Sequence, residues 1–132
     1  MKRKLAVGVV AAAAAAMLCA MTGSAYAAEP SGAETCPSGS FCLYFNSPQY
    51  GWGAFEHWSP GVTDYLNGDT FADWGNGSGY GQGVANNAAS FVNNTGVPWT
   101  MYNQAGNFVD TYFPGQYGPL YHPNKDWVMY GG

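Results

Sequence analysis

The chain has 132 residues and a formal net charge of −4, with 9% charged and 17% aromatic residues, a size and composition that suit one small domain. Three of its four basic residues, Lys2, Arg3 and Lys4, lie at the extreme N-terminus, so the remainder sets Lys125 alone against all eight acids. The lysines and arginines that neutralise phosphates are missing there, which excludes a nucleic-acid partner and a nuclease role.

Lys2–Lys4 precede an apolar run from Leu5 to about Ala20, followed by the small-x-small triplet Ala25-Tyr26-Ala27. That is the pattern of a secretory signal peptide over 1–27, and it predicts a secreted, extracellular product beginning at Ala28. No second apolar run of bilayer-spanning length follows, so no membrane partner is expected after cleavage. Loss of the leader leaves one lysine against eight acids, a net charge near −7. Self-repulsion of that size favours a monomer.

Residues 28–35 are small and polar and read as a flexible lead-in to the domain at 36–132. Only Cys36 and Cys42, in "CPSGSFC", remain after processing. An oxidising export route and an even count predict a disulfide, whose short loop limits its entropic contribution to about 2 kcal/mol. The competing idea, a zinc ligand pair, finds His57 and His122 isolated and without ligand spacing.

Alternation marks the strands. In "SFCLYF" (40–45), Phe41, Leu43 and Phe45 point one way while Cys42 and Tyr44 point the other. "AFEHW" (54–58), "WTMY" (99–102), "FVDTYF" (108–113) and "DWVMY" (126–130) alternate similarly, and nothing carries a sustained helical period. Aromatic and β-branched runs broken by glycine and proline predict an all-β sandwich or barrel. Between them, the glycine-rich stretch 67–83 shows no alternation and reads as a long exposed loop, either functional or mobile.

A weak internal repeat organises these strands. "YFNSPQYGWGAFEHWSPG" (44–61) resembles "MYNQAGNFVDTYFPG" (101–115), with Gly53-Ala54-Phe55 matching Gly106-Asn107-Phe108 and Pro60-Gly61 matching Pro114-Gly115. Two copies of one hairpin-plus-turn unit predict paired Greek keys, the first at about 36–96 and the second at about 97–132.

No catalytic set emerges. Both mature cysteines are assigned to the disulfide, and there is neither a Gly-x-Ser-x-Gly elbow nor a His-Glu-x-x-His helix. Glu56 and His57 are neighbours on an alternating strand, so their side chains are expected on opposite faces and unable to cooperate. Asp64, Asp69, Asp73, Asp110 and Asp126 are read as solvated surface acids, with no pair set apart for glycosidase-type work. The expectation is a binding protein, not an enzyme.

"CPSGSFCLYFNSPQYGWGAFEHW" followed by "VANNAASFVNNTG" resembles the secreted actinobacterial proteins grouped with the Streptomyces metalloproteinase inhibitor. The resemblance runs from Cys36 onward and implies a βγ-crystallin-like sandwich of two Greek keys. It further implies a peptidase inhibitor, of thermolysin-like zinc proteases, that docks a secreted protease through a preorganised loop. The family's founding inhibitor braces its reactive loop with a second disulfide, and no cysteine follows Cys42 here. Packing must brace the loop instead. The candidate inhibitory loop is Asn93, Asn94, Thr95, Gly96, Val97 and Pro98, stiffened by the proline, with the 67–83 stretch as a further contact surface.

The same resemblance bears on "NNAAS". The βγ-crystallin calcium motif reads Asn/Asp, Asn/Asp, two variable positions, Ser/Thr, then Ser. Asn86, Asn87 and Ser90 fit it as metal ligands, whereas Phe91 replaces the last serine. Neutral amides make at best a weak Ca2+ site, and the corresponding stretch "NKDWVMY" (124–130) has no Ser or Thr to contribute. No cofactor is otherwise required. The other reading has the amides bonding backbone at the turn while Phe91 enters the core. With calcium, the alternative function is a binding module for a cell-surface or glycan partner without inhibitory activity.

Overall fold

Eight short strands follow one another along the chain: β1 (Phe41–Tyr44), β2 (Phe55–Trp58), β3 (Thr63–Tyr65), β4 (Ser90–Asn93), β5 (Trp99–Tyr102), β6 (Phe108–Tyr112), β7 (Tyr117–Pro119) and β8 (Val128–Gly131). The computed structural model describes residues 28–132, so the signal peptide expected at 1–27 lies outside the described residues. The strands form two antiparallel sheets, ordered β2-β1-β4-β7 and β3-β8-β5-β6. The all-β sandwich expected from the alternating runs is present.

The two sheets are related by exchange. β1, β2 and β4 share a sheet with β7, while β5, β6 and β8 share theirs with β3. Each half of the chain therefore lends its third strand to the other half, and in each half the fourth strand returns beside the first, as in a Greek key. The internal repeat maps onto this exchange. Its two copies are the β1–β2 and β5–β6 hairpins, and Gly53 and Gly106 occupy left-handed backbone in the matching turns. Further on, the Gly61 amide donates to the Gly131 carbonyl at 2.8 Å and the Gly115 amide to the Asn93 carbonyl at 2.9 Å. Each Pro-Gly step thus delivers its chain to the neighbouring sheet.

The core lies between the sheets. Phe41, Leu43 and Phe91 from one sheet meet Trp99, Met101, Tyr112 and Met129 from the other, all nearly or fully buried. The Phe41 and Trp99 rings stack across the gap with centroids 4.8 Å apart, a geometry worth about 1 kcal/mol beyond area burial. Trp99 packs so closely over Gly131 that a Cβ there would overlap the indole. The outer face of β1 is buried as well. Cys42 and Tyr44, on the opposite side from Phe41 and Leu43, pack with Cys36, Trp52, Phe55 and Val92 in a second apolar cluster. The amino-terminal segment helps to close it. Residues 28–35, expected to be flexible, contain a 3-10 turn at Gly32–Glu34, a buried Pro30, and a Glu34 carbonyl that accepts the Tyr44 hydroxyl at 2.7 Å.

The stretch 67–83 is folded rather than loose. Phe71 is fully buried in the main core, and its amide and carbonyl bond Gln82 and Gly81 across the loop. Phe55 and Asp73 exchange both backbone bonds, at 3.0 and 2.8 Å, which ties the loop to the edge of β2. Gly79 adopts a left-handed φ of 81° and lies against the Phe45 ring, leaving no room for a side chain. What the loop exposes is aromatic: Trp74 and Tyr80 stand out at its surface with centroids 5.0 Å apart.

Candidate functional site

The segment joining β4 to β5 is short, and side chains at its start hold it from inside. Asn93 is fully buried at the end of β4. Its side-chain amide donates to the carbonyls of Val97 and Tyr112, both at 3.0 Å. Its side-chain oxygen accepts from the Thr95 amide at 3.0 Å and the Thr95 hydroxyl at 2.6 Å. Thr95, itself buried, receives the Trp99 indole N–H at 3.0 Å. One carboxamide thus spans the loop from inside, and a core tryptophan anchors the next residue.

The disulfide loop braces the same segment from the other side. Cys36 and Cys42 are bonded, with the Cα atoms 6.0 Å apart, and the two residues are almost entirely buried. Asn94 donates through its side chain to the Cys36 carbonyl at 2.9 Å. Its backbone amide donates to the Ser40 carbonyl at 2.9 Å, and its carbonyl accepts the Gly39 amide at 3.0 Å. A third support is the turn at Phe113–Gln116, whose Gln116 carbonyl and Gly115 amide bond the Asn93 backbone. Gly96 and Pro98 are then the exposed residues, with Val97 half-buried and an exposed Phe113 on the adjoining turn. Removing the disulfide with Cys36→Ser and Cys42→Ser together is expected to cost about 2 kcal/mol. A calorimetric melt should show that as a Tm lowered by about 8–16 °C.

The proposed calcium residues are each engaged with a different neighbour. Asn87 donates to the Gly83 carbonyl at 2.9 Å and to the Gln82 side chain at 3.2 Å, and Asn86 reaches Gln104 at 3.4 Å. The Ser90 hydroxyl donates to the Asn46 carbonyl, and Phe91 lies in the core. What sequence reasoning missed here is Asp126. Read as a surface acid, it is in fact fully buried, as Asp110 largely is. Asp126 Oδ1 accepts the Ala88 amide at 3.3 Å, and Oδ2 has no partner. Burial raises its pKa to about 7, against the lowering effect of the amides it faces. Around it the two halves cross-bond reciprocally: Asn86 donates to the Asp126 carbonyl at 2.6 Å and Asn124 to the Ala88 carbonyl at 3.0 Å. Both asparagines hold left-handed φ values, 57° and 61°, which asparagine tolerates better than most residues.

The expectation that Glu56 and His57 cannot cooperate is overturned. Glu56 curls back to accept the backbone N–H of His57 at 3.1 Å, which brings its Oε1 to 3.8 Å from His57 Nδ1. Asp73 arrives from the pinned loop and places Oδ2 2.7 Å from the same nitrogen. Side-chain reach defeats strand alternation there, and the third member comes from a stretch with no pattern to read. Burial, more than the nearby charges, pushes the Glu56 pKa up. A second pair, His122 Nδ1 and Asp110 Oδ2, lies 2.8 Å apart on the opposite sheet. Asp110 Oδ2 also accepts the Tyr112 hydroxyl at 3.2 Å, and no serine, threonine or cysteine side chain is hydrogen-bonded to either cluster among the described residues.

A family model described as peptidase inhibitor family I36, that of the Streptomyces metalloproteinase inhibitor, matches residues 29–112. That interval contains the disulfide loop, the pinned 67–83 loop and the braced segment. No curated protein and no solved structure matches the chain.

Proposed function

The chain belongs to peptidase inhibitor family I36, and we propose that it is a secreted inhibitor of metalloproteases that docks through residues 94–98. The observation that supports this surface is the brace formed by Asn93, Thr95 and the disulfide loop. A segment already held in one shape loses little conformational entropy when a protease closes on it, so modest contact area suffices for tight binding. In this chain a buried carboxamide takes the role that a second disulfide has in the family's founding member. Gly96, Val97, Pro98 and Phe113 offer a small apolar contact without a charged side chain. Secretion rests on the leader pattern at 1–27 and on the disulfide, and a monomer suffices for one-to-one inhibition.

The test is a titration of the oxidised mature protein against a thermolysin-type zinc protease, a serine protease and a cysteine protease. Stoichiometric inhibition of the zinc protease is expected, and Val97→Asp should raise the inhibition constant at least about tenfold, or ~1.4 kcal/mol, with both proteins assayed well below their melting temperatures. No inhibition of any protease at about tenfold excess rejects the reading. Inhibition that survives Val97→Asp but fails with Trp74→Ala moves the contact to the 67–83 loop. The exposed Trp74–Tyr80 pair also favours a second reading, a binding module that stacks sugar rings of a glycan partner. Glycan binding lost in Trp74→Ala, without protease inhibition, would carry that one.

A further inference from the structure

We propose that Glu56, His57 and Asp73 form a binding site for a divalent transition cation of the zinc type. One imidazole nitrogen and two carboxylates converge so that the three ligand atoms all lie within 4.8 Å of one another. The donor set suits a borderline cation: imidazole and carboxylate together favour zinc, nickel or copper, whereas calcium wants six or more oxygens. In four-coordinate zinc, bonds of about 2.1 Å hold neighbouring ligands about 3.4 Å apart. The His57–Asp73 and His57–Glu56 separations, 2.7 and 3.8 Å, fall on either side of that value. Small side-chain rotations bring them to it. His57 and Asp73 are partly exposed, which leaves a path for the ion and room for water at a fourth position.

Two features set this cluster apart from an ordinary patch of surface acids. Its ligands come from two elements whose backbones are locked together, because the Phe55–Asp73 bond pair fixes β2 against the loop at Asp73 itself and one residue from Glu56. It also lacks any permanent cation. Asp69 is a further negative neighbour of Glu56, and Lys125, the one lysine or arginine among the described residues, is not among its partners. A bound ion would supply the missing positive charge and clasp the aromatic loop to the sheet.

The test uses the mature, disulfide-intact protein and zinc chloride. Calorimetric titration near neutral pH should give one zinc per chain, and zinc in excess should raise the Tm by mass action. Asp73→Asn, which keeps a hydrogen-bond acceptor for His57, and His57→Gln should each weaken zinc at least about tenfold, or ~1.4 kcal/mol, with unchanged circular dichroism. His122→Gln, which removes the other His–carboxylate pair, should bind zinc like the wild type. In NMR spectra of the wild type, zinc should move the ring resonances of His57 and leave those of His122 in place. Absence of stoichiometric zinc binding overturns the proposal. So does full retention in the Asp73 and His57 variants, or perturbation of His122 alone.

Discussion

Asn93→Ala is expected to destabilise the protein by on the order of 3 kcal/mol, a sum of groups left unpaired in a dry interior. The carboxamide is fully buried and makes four hydrogen bonds. Truncation strands the Tyr112 carbonyl and the Thr95 amide, both deep in the structure, and loosens the Val97 carbonyl. Thermal unfolding should show a Tm lowered by about 12–24 °C. The same substitution should weaken protease inhibition when both proteins are assayed well below their melting temperatures, because residues 94–98 lose their internal span. Asn93→Asp should be worse than alanine for stability, since it deletes both donors and buries a charge. Thr95→Val removes only the hydroxyl and should fall between wild type and Asn93→Ala. A Tm within about 3 °C of wild type for Asn93→Ala would sink the brace.

Much of this fold was legible because aromatic alternation marks core strands. "SFCLYF", "AFEHW", "WTMY" and "FVDTYF" contain β1, β2, β5 and β6, and "DWVMY" overlaps β8. The exchanged third strands were not legible. β3 is only Thr-Asp-Tyr and β7 only Tyr-Gly-Pro, too short to alternate, and each is recruited by pairing with the other half of the chain. Their position follows from topology, which the repeat hinted at through its two Pro-Gly steps. The 67–83 stretch misled for a related reason. Its order comes from one core anchor, Phe71, and from backbone bonds to β2, and glycine-rich sequence carries no trace of either. At the candidate site, the sequence pointed to the segment 93–98 but not to how it is held. An Asn-Asn-Thr-Gly run reads as a polar turn, and only tertiary packing turns the first of those asparagines inward.

Asp126 shows the same limit from the side of electrostatics, and it has a measurable consequence. Its pKa is raised by burial from 3.8 to about 7, so between these values the folded protein holds a proton that the unfolded chain has released. Stability then falls as pH rises through that window and levels off above it. The contribution is complete below about pH 4, where both states are protonated, and is lost above about pH 7, by a few kcal/mol at most. Glu56 and Asp64, also raised by burial, tilt the profile in the same direction. Asp126→Asn mimics the protonated acid. It keeps an oxygen for the Ala88 amide and places no charge between the 86–88 and 124–126 turns. Urea midpoints should therefore differ little between the two proteins near pH 4. By pH 8 the variant should be the more stable, keeping only the residual slope of Glu56 and Asp64. Parallel profiles for wild type and variant would mean that Asp126 titrates as an ordinary acid. The two halves would then be joined at this point by a solvated carboxylate rather than by the buried, reciprocal contact of Asn86 with Asp126 and Asn124 with Ala88.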